Sequence, residues 1–151
     1  MTVVKFYDNV ADDLLKFAVI IAKYNGKFIF CKHKQRNTLE VPGGHREPNE
    51  IISDTAAREL SEETGALKFD IQPICVYSVT ASDNFDGKET FGMLYYAQVK
   101  ALEKELHSEI EKVVILIIGH TLIYSQSCWR KQKGEVSCKL KFLLFCINRI
   151  K

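Results

Sequence analysis

Residues 14–24 are so rich in aliphatic and aromatic side chains that they read as a strand buried on both faces. Asn25-Gly26 follows, a dipeptide suited to a two-residue hairpin turn, and residues 27–34 return as a second strand. A polar loop at 35–38 gives way to residues 39–41, which lead into Pro42-Gly43-Gly44, where proline fixes φ and the glycines free the backbone. A helix is expected to begin between Asn49 and Ser53, both good N-cap residues, and to stop at Gly65. Beyond it, 70–81 reads as a long strand broken early by Pro73, 83–88 as a turn and 89–100 as a returning strand. Residues 101–111 form a polar connection before an apolar run at 113–118. Strands with one helix between them and a second hairpin predict an α/β domain with a mixed sheet.

The helix carries two kinds of position. At about 100° per residue, Ser53, Ala56, Ala57, Leu60 and Thr64 share an arc of mostly small side chains able to lie close against a sheet. Glu59, Glu62 and Glu63 share the neighbouring arc, where like charges destabilise a bare helix by roughly 0.2–0.5 kcal/mol per pair. A solvated acidic face is one reading. The other is a cluster of oxygen ligands for a hard divalent cation such as Mg²⁺ or Mn²⁺, with Arg58 holding a carboxylate in place.

Spacing separates the two. Gly44, five residues, Glu50, seven residues, then Arg58-Glu59-Leu60-x-Glu62-Glu63-x-Gly65-Ala66 resembles the complete box of the Nudix hydrolases, residues 44–66. The seven fixed identities, each at about 7% frequency, would coincide by chance on the order of once in a hundred million starts, which favours the metal reading. The resemblance implies one domain over residues 1–151, an α/β/α sandwich whose catalytic loop–helix–loop sits at one end of a mixed sheet. It implies metal ligation by Glu59, Glu62, Glu63 and the Gly44 carbonyl, catalysis by these glutamates with Arg58, and support from Gly43 and Glu50. A general base or extra ligand is expected at Glu59, or at Glu109 or Glu111, which are equally readable as solvated loop charges. Lys32, Lys34 and Arg36 are candidates for phosphate contact, or a hydrated strand end; alternation puts His33 on the face opposite Lys32 and Lys34. His45 is read as an ordinary loop histidine. Tyr77, Phe85, Phe91 and Tyr95 are candidates to stack on a base or to fill the core.

The implied activity is metal-dependent hydrolysis of a nucleoside diphosphate linkage, with a nucleoside triphosphate, oxidised or not, cleaved to monophosphate and pyrophosphate as the leading case. ADP-ribose and dinucleoside polyphosphates are alternatives. A nucleotide sensor without catalysis would lack metal ligands, and all three glutamates are present. The run 39–44, Leu-Glu-Val-Pro-Gly-Gly, is similar to that of the mutator-type nucleotide hydrolases of the family.

The net charge of +2 hides an asymmetry: residues 1–111 hold 13 Lys/Arg against 18 Asp/Glu, and residues 112–151 hold 8 against 1. From about residue 119 the chain departs from the pattern expected of the family, although Val136, Leu140, Leu143 and Ile147 keep helical spacing. A replaced or frame-shifted end and a divergent terminal helix both fit. The basic tail lacks a nucleic-acid motif, so the expected partner is a small nucleotide, with the protein a monomer or homodimer. Five cysteines, an odd number with no C-x-x-C, suggest neither a disulfide framework nor a zinc site, and no stretch reads as a signal peptide or membrane span. A reduced cytoplasmic setting is the expectation.

Overall fold

The computed structural model describes residues 3–35, 37–81, 85–103 and 110–116. The apolar stretch at the start of the reading becomes β2 (Leu15–Tyr24), in the interior of a mixed sheet. Its neighbours are β3 (Lys27–His33) and β4 (Gly43–His45), both antiparallel to it, and β6 (Thr90–Leu102), which runs parallel. β5 (Ala66–Thr80) pairs with β6, β1 (Val3–Tyr7) with β5, and β7 (Ile110–Leu116) with β3, giving the order β1-β5-β6-β2-β3-β7 with β4 beside β2. Successive residues of β2 point to opposite faces. Ala18, Ile20 and Ala22 join a core with Ile52, Ala56 and Leu60 of the helix α1 (Ile52–Thr64). Val19 and Ile21 join Phe28, Phe30, Tyr77 and Leu94 on the other face.

One edge of β2 is divided, and this division positions the box. β4 takes Phe17 to Val19, whereas β3 pairs only at Lys23 and Tyr24. The Ile20 N–H, between them, bonds to the Pro42 carbonyl at 2.8 Å. The glycine run is thus a short strand wedged against the centre of the sheet.

The helix ends as its sequence indicates and begins differently. Gly65 adopts φ 70° and donates its N–H to the Ser61 carbonyl, a left-handed cap that glycine occupies without strain. At the start, Ile51 is the N-cap residue and offers no side-chain cap. An oxygen comes instead from Asp12, whose Oδ1 accepts the Ile52 N–H at 3.4 Å. Asn49 is in the left-handed region of the preceding loop, at φ 68°. The buried stripe is Ile52, Thr55, Ala56, Leu60, Glu63 and Thr64, with Ser53 left exposed. The helix is rotated from the expected arc because Thr55 and Glu63 find polar partners inside.

Three strands extend beyond the pattern. β1, five residues on the edge of the sheet, carries no long apolar run. β5 starts at Ala66, directly after the helix, and carries Pro73 where β1, which reaches only Val76 to Thr80, leaves an open edge. The missing N–H there breaks no ladder, and a register shift follows between Pro73 and Cys75. β7 begins at Ile110, inside the expected polar connection. The second helical layer and the departure from about residue 119 lie outside the described residues, as do Arg36 and Glu109. Among the described residues Cys31 and Cys75 are free thiols, and no helix is long and apolar enough to cross a membrane.

Candidate active site

Arg58 organises the carboxylates. Its Nε donates to Glu50 Oε1 at 2.7 Å and its Nη2 to Glu50 Oε2 and the His45 carbonyl, both at 3.1 Å. Its Nη1 donates to Glu59 Oε1 at 2.8 Å and to Glu62 Oε2 at 3.1 Å. One guanidinium therefore ties the loop after β4 to two glutamates of the helix, and its own proton is held more tightly than usual by Glu50 first, then by Glu59 and Glu62. The Glu50 carboxylate also accepts the Glu47 N–H at 3.0 Å and the Thr55 hydroxyl at 2.8 Å. Hydrogen bonds from Arg58, then Glu47, lower its pKa from 4.5 to about 2.

The helix glutamates stand in different surroundings. The side chain of Glu62 is 55% exposed, against 13% for Glu59 and 10% for Glu63, so of the three Glu62 faces solvent. Burial raises the Glu59 carboxyl above its ordinary value, against the pull of Arg58. Gly44 packs on this carboxylate so closely that a Cβ would overlap its oxygens. A Cβ on Gly43 would lie 2.5 Å from the Ala18 carbonyl. The bare backbone of both glycines is what lets β4 fit between β2 and the helix.

Glu63 turns toward the sheet. Its Oε2 accepts the Gly43 N–H at 2.9 Å, and its Oε1 lies 3.0 Å from His33 Nε2. Cys31 Sγ donates to the Glu63 carbonyl at 3.3 Å, and burial pushes this thiol's pKa up, with Glu63 and Glu40 adding to the effect.

On β3, His33 reaches a helix glutamate, Glu63. Lys32 is on the opposite face, as alternation requires, and pairs with Glu111 of β7. That lysine holds the Glu111 carboxyl below its usual range. Lys34 is exposed just past the end of β3. Tyr77 is fully buried with its ring edge-on to Phe17 at 5.4 Å, and Tyr95 is buried in the helix-side core. Phe91 packs edge-on against Tyr7 at 5.2 Å, while the side chain of Phe85 lies outside what is described. His45 sets its ring edge-on to Phe17 at 6.5 Å. His33, Arg46 and Asp12 enter this neighbourhood without having been singled out. Alternation along β3 already put His33 on the face away from the lysines; nothing in sequence relates Asp12 to a helix beginning 40 residues later.

Among the described residues no three carboxylate, imidazole or thiol groups converge as a ready-made metal cage. The donors that do come together are all oxygens: Glu59 and Glu62 on one Arg58 nitrogen, with the Gly44 backbone against Glu59. Oxygen-only chemistry of this kind fits a hard divalent cation.

A mixed sheet with a glycine strand, a loop and a carboxylate-bearing helix set against its central strand defines the Nudix fold. A family model of the NUDIX domain matches residues 14–117, and the chain belongs to the Nudix family. YtkD of Bacillus subtilis (strain 168), a candidate 8-oxo-dGTP diphosphatase, is 32% identical over 100 residues, which are 66% of this chain and 60% of that protein. The chain thus matches about three-fifths of that relative's length. The crystal structure of a mutant of the Bacillus subtilis pyrophosphohydrolase BsRppH is 25% identical with a TM-score of 0.68, covering 99% of this chain and 89% of that one. The NUDIX domain of Shewanella oneidensis NrtR, solved with ADP ribose, shares the fold at 16% identity and a TM-score of 0.54, over 67% of this chain and 71% of its own.

Proposed function

We propose that this protein is a divalent-metal-dependent pyrophosphohydrolase that cleaves the diphosphate linkage of a nucleotide, with a nucleoside triphosphate as substrate and a monophosphate and pyrophosphate as products. The observation that carries the reading is the pair of carboxylates, Glu59 and Glu62, gathered on one Arg58 nitrogen beside Gly44. Glu59, Glu62, Glu63 and the Gly44 carbonyl would hold Mg²⁺ or Mn²⁺. When bound, the metal supplies the charge that neutralises the diphosphate and makes water a competent nucleophile. The residues of the chain orient and move protons around it. Arg58 fixes two of the carboxylates and, through Glu50, the loop between Gly44 and the helix. Glu59, whose buried carboxyl binds a proton more readily than an exposed one, is suited to accept a proton from the attacking water. The similarity to YtkD supports a nucleoside triphosphate over the other diphosphates used within the family.

The test is a substrate panel with Mg²⁺ and with Mn²⁺: dGTP, 8-oxo-dGTP, ADP-ribose and a dinucleoside tetraphosphate. We expect turnover of the triphosphates above the rest, and no turnover in excess chelator. Glu59→Gln and Glu62→Gln should each lower kcat by about two to three orders of magnitude while leaving KM within a few-fold, as for groups acting mainly in the transition state. Wild-type rates in chelator would overturn the metal mechanism. Unchanged rates in both variants would overturn the residue assignment.

A further inference from the structure

Arg46 and Asp12 form an anchorage beneath the carboxylate cluster. All three nitrogens of the Arg46 guanidinium meet oxygens of the protein. Its Nη2 meets Asp12 Oδ2 at 2.6 Å, its Nη1 donates to the Asp12 carbonyl at 2.5 Å, and its Nε donates to the Glu50 carbonyl at 2.5 Å. Its backbone N–H bonds to the Lys16 carbonyl at 2.9 Å. Asp12, in a single 3-10 turn just before β2, accepts the Ile52 N–H at the start of α1 on its other carboxylate oxygen. One ion pair thereby ties the turn before β2 to a stretch distant in sequence, the loop after β4 and the first turn of the catalytic helix. The Arg46 side chain is 19% exposed and that of Asp12 48%, so the pair is shielded from water on the arginine side and open on the aspartate side, and its role rests on the several contacts it gathers and not on the ion pair alone.

The contacts continue toward the chemistry. Arg46 grips Glu50 by its main-chain carbonyl, and the Glu50 carboxylate in turn holds Arg58 by two bonds. Arg58 holds Glu59 and Glu62. We infer that Asp12 and Arg46 are positioning residues for the reaction: through Glu50 they set the place of the Arg58 guanidinium, and so the place of Glu59 and Glu62. Neither touches those glutamates. Lysine at position 46 would keep the charge and lose the fork, since one ammonium on a flexible stem cannot span Asp12 and the Glu50 carbonyl in fixed geometry. Displacement of catalytic groups by even an ångström is enough to slow a positioned reaction by large factors.

This inference rests on the proposed hydrolase reading, and the experiment separates the two. Asp12→Asn keeps an oxygen to cap Ile52 and removes the charge; Arg46→Lys and Arg46→Gln remove the fork. Asp70→Asn serves as control, because it breaks an exposed pair with Lys100 on the surface of β5 and β6. For each purified full-length variant, kcat and KM are measured with Mg²⁺ on the best substrate of the panel, Mn²⁺ affinity by electron paramagnetic resonance without substrate, and the thermal midpoint. We expect Asp12→Asn, Arg46→Lys and Arg46→Gln to lower kcat at least tenfold with KM within twofold, and to weaken Mn²⁺ binding several-fold, at assay temperatures well below every midpoint. Asp70→Asn should match wild type. Variants with lowered midpoints but wild-type kcat and Mn²⁺ affinity would overturn the inference, leaving a structural ion pair. An equal loss in Asp70→Asn would overturn it as well. A wild-type protein inactive on the whole panel would overturn the hydrolase reading, and the Mn²⁺ affinities would then decide the positioning role by themselves.

Discussion

The Glu59 carboxylate stands where a Cβ on residue 44 would be. Glycine is required at that position for a reason of space, and a methyl group there must push aside either the β4 backbone or the glutamate. Gly44→Ala is therefore expected to lower kcat by at least about tenfold while the fold survives, since the far end of a side chain yields before a sheet does. Kinetics alongside a circular-dichroism melt would show it; an active Gly44→Ala enzyme would mean that Glu59 has freedom to move. Glu50 makes a different prediction. Its pKa is lowered to about 2 in the fold from 4.5, by Arg58 first and the Glu47 N–H second. A depressed carboxylate contributes its stability in full above the unfolded value and loses it as pH falls through the folded one. The gap in thermal midpoint between wild type and Glu50→Gln should accordingly be widest above about pH 4.5 and close as pH approaches 2. A gap that stays constant over that range would mean that the Arg58–Glu50 pair is not what Glu50 contributes.

At the scale of the element, α1 is unusual in turning polar side chains inward. Thr55 and Glu63 are buried beside Ala56 and Leu60, and each has a partner: Glu50 for Thr55, and Gly43 and His33 for Glu63. Helical periodicity alone put Ser53 and Ala57 on the buried arc, because that arithmetic counts small and apolar residues and has no means of knowing where an internal hydrogen-bond donor waits. Leu60, fully buried, was legible from the pattern and packs with Ile52 and Ala56 in the core shared with β2. Leu60→Ala is expected to destabilise the protein by about 2–5 kcal/mol, read as a lower denaturation midpoint in urea. The cap at the other end was not legible. Asn49 and Ser53 are both good caps by type, yet the loop places Asn49 in a left-handed conformation and Asp12 arrives from another part of the chain.

For the molecule as a whole, a metal held by the folded site and not by the unfolded chain must raise stability by linkage. Mn²⁺ at a hundred times its Kd corresponds to about 2.7 kcal/mol, so the thermal midpoint should rise with Mn²⁺ in wild type and much less in Glu62→Gln. A midpoint indifferent to Mn²⁺ would contradict the proposed ligand set. The parts that sequence alone determined are those written in local order. The buried β2 run, the Asn25-Gly26 hairpin, the left-handed Gly65 and the spacing of Gly44, Glu50, Arg58, Glu59, Glu62 and Glu63 each depend on neighbours along the chain or on a fixed interval within one loop and helix. Tertiary structure decided the pairings between segments: that His33 and not Lys32 meets Glu63, that Lys32 is matched to Glu111, and that Arg46 binds Asp12 beneath the helix. Alternation assigns a side chain to a face but not to an opposite number, because the partner is chosen by sheet register and by how far α1 is rotated over the sheet, quantities set by the packing of the whole core.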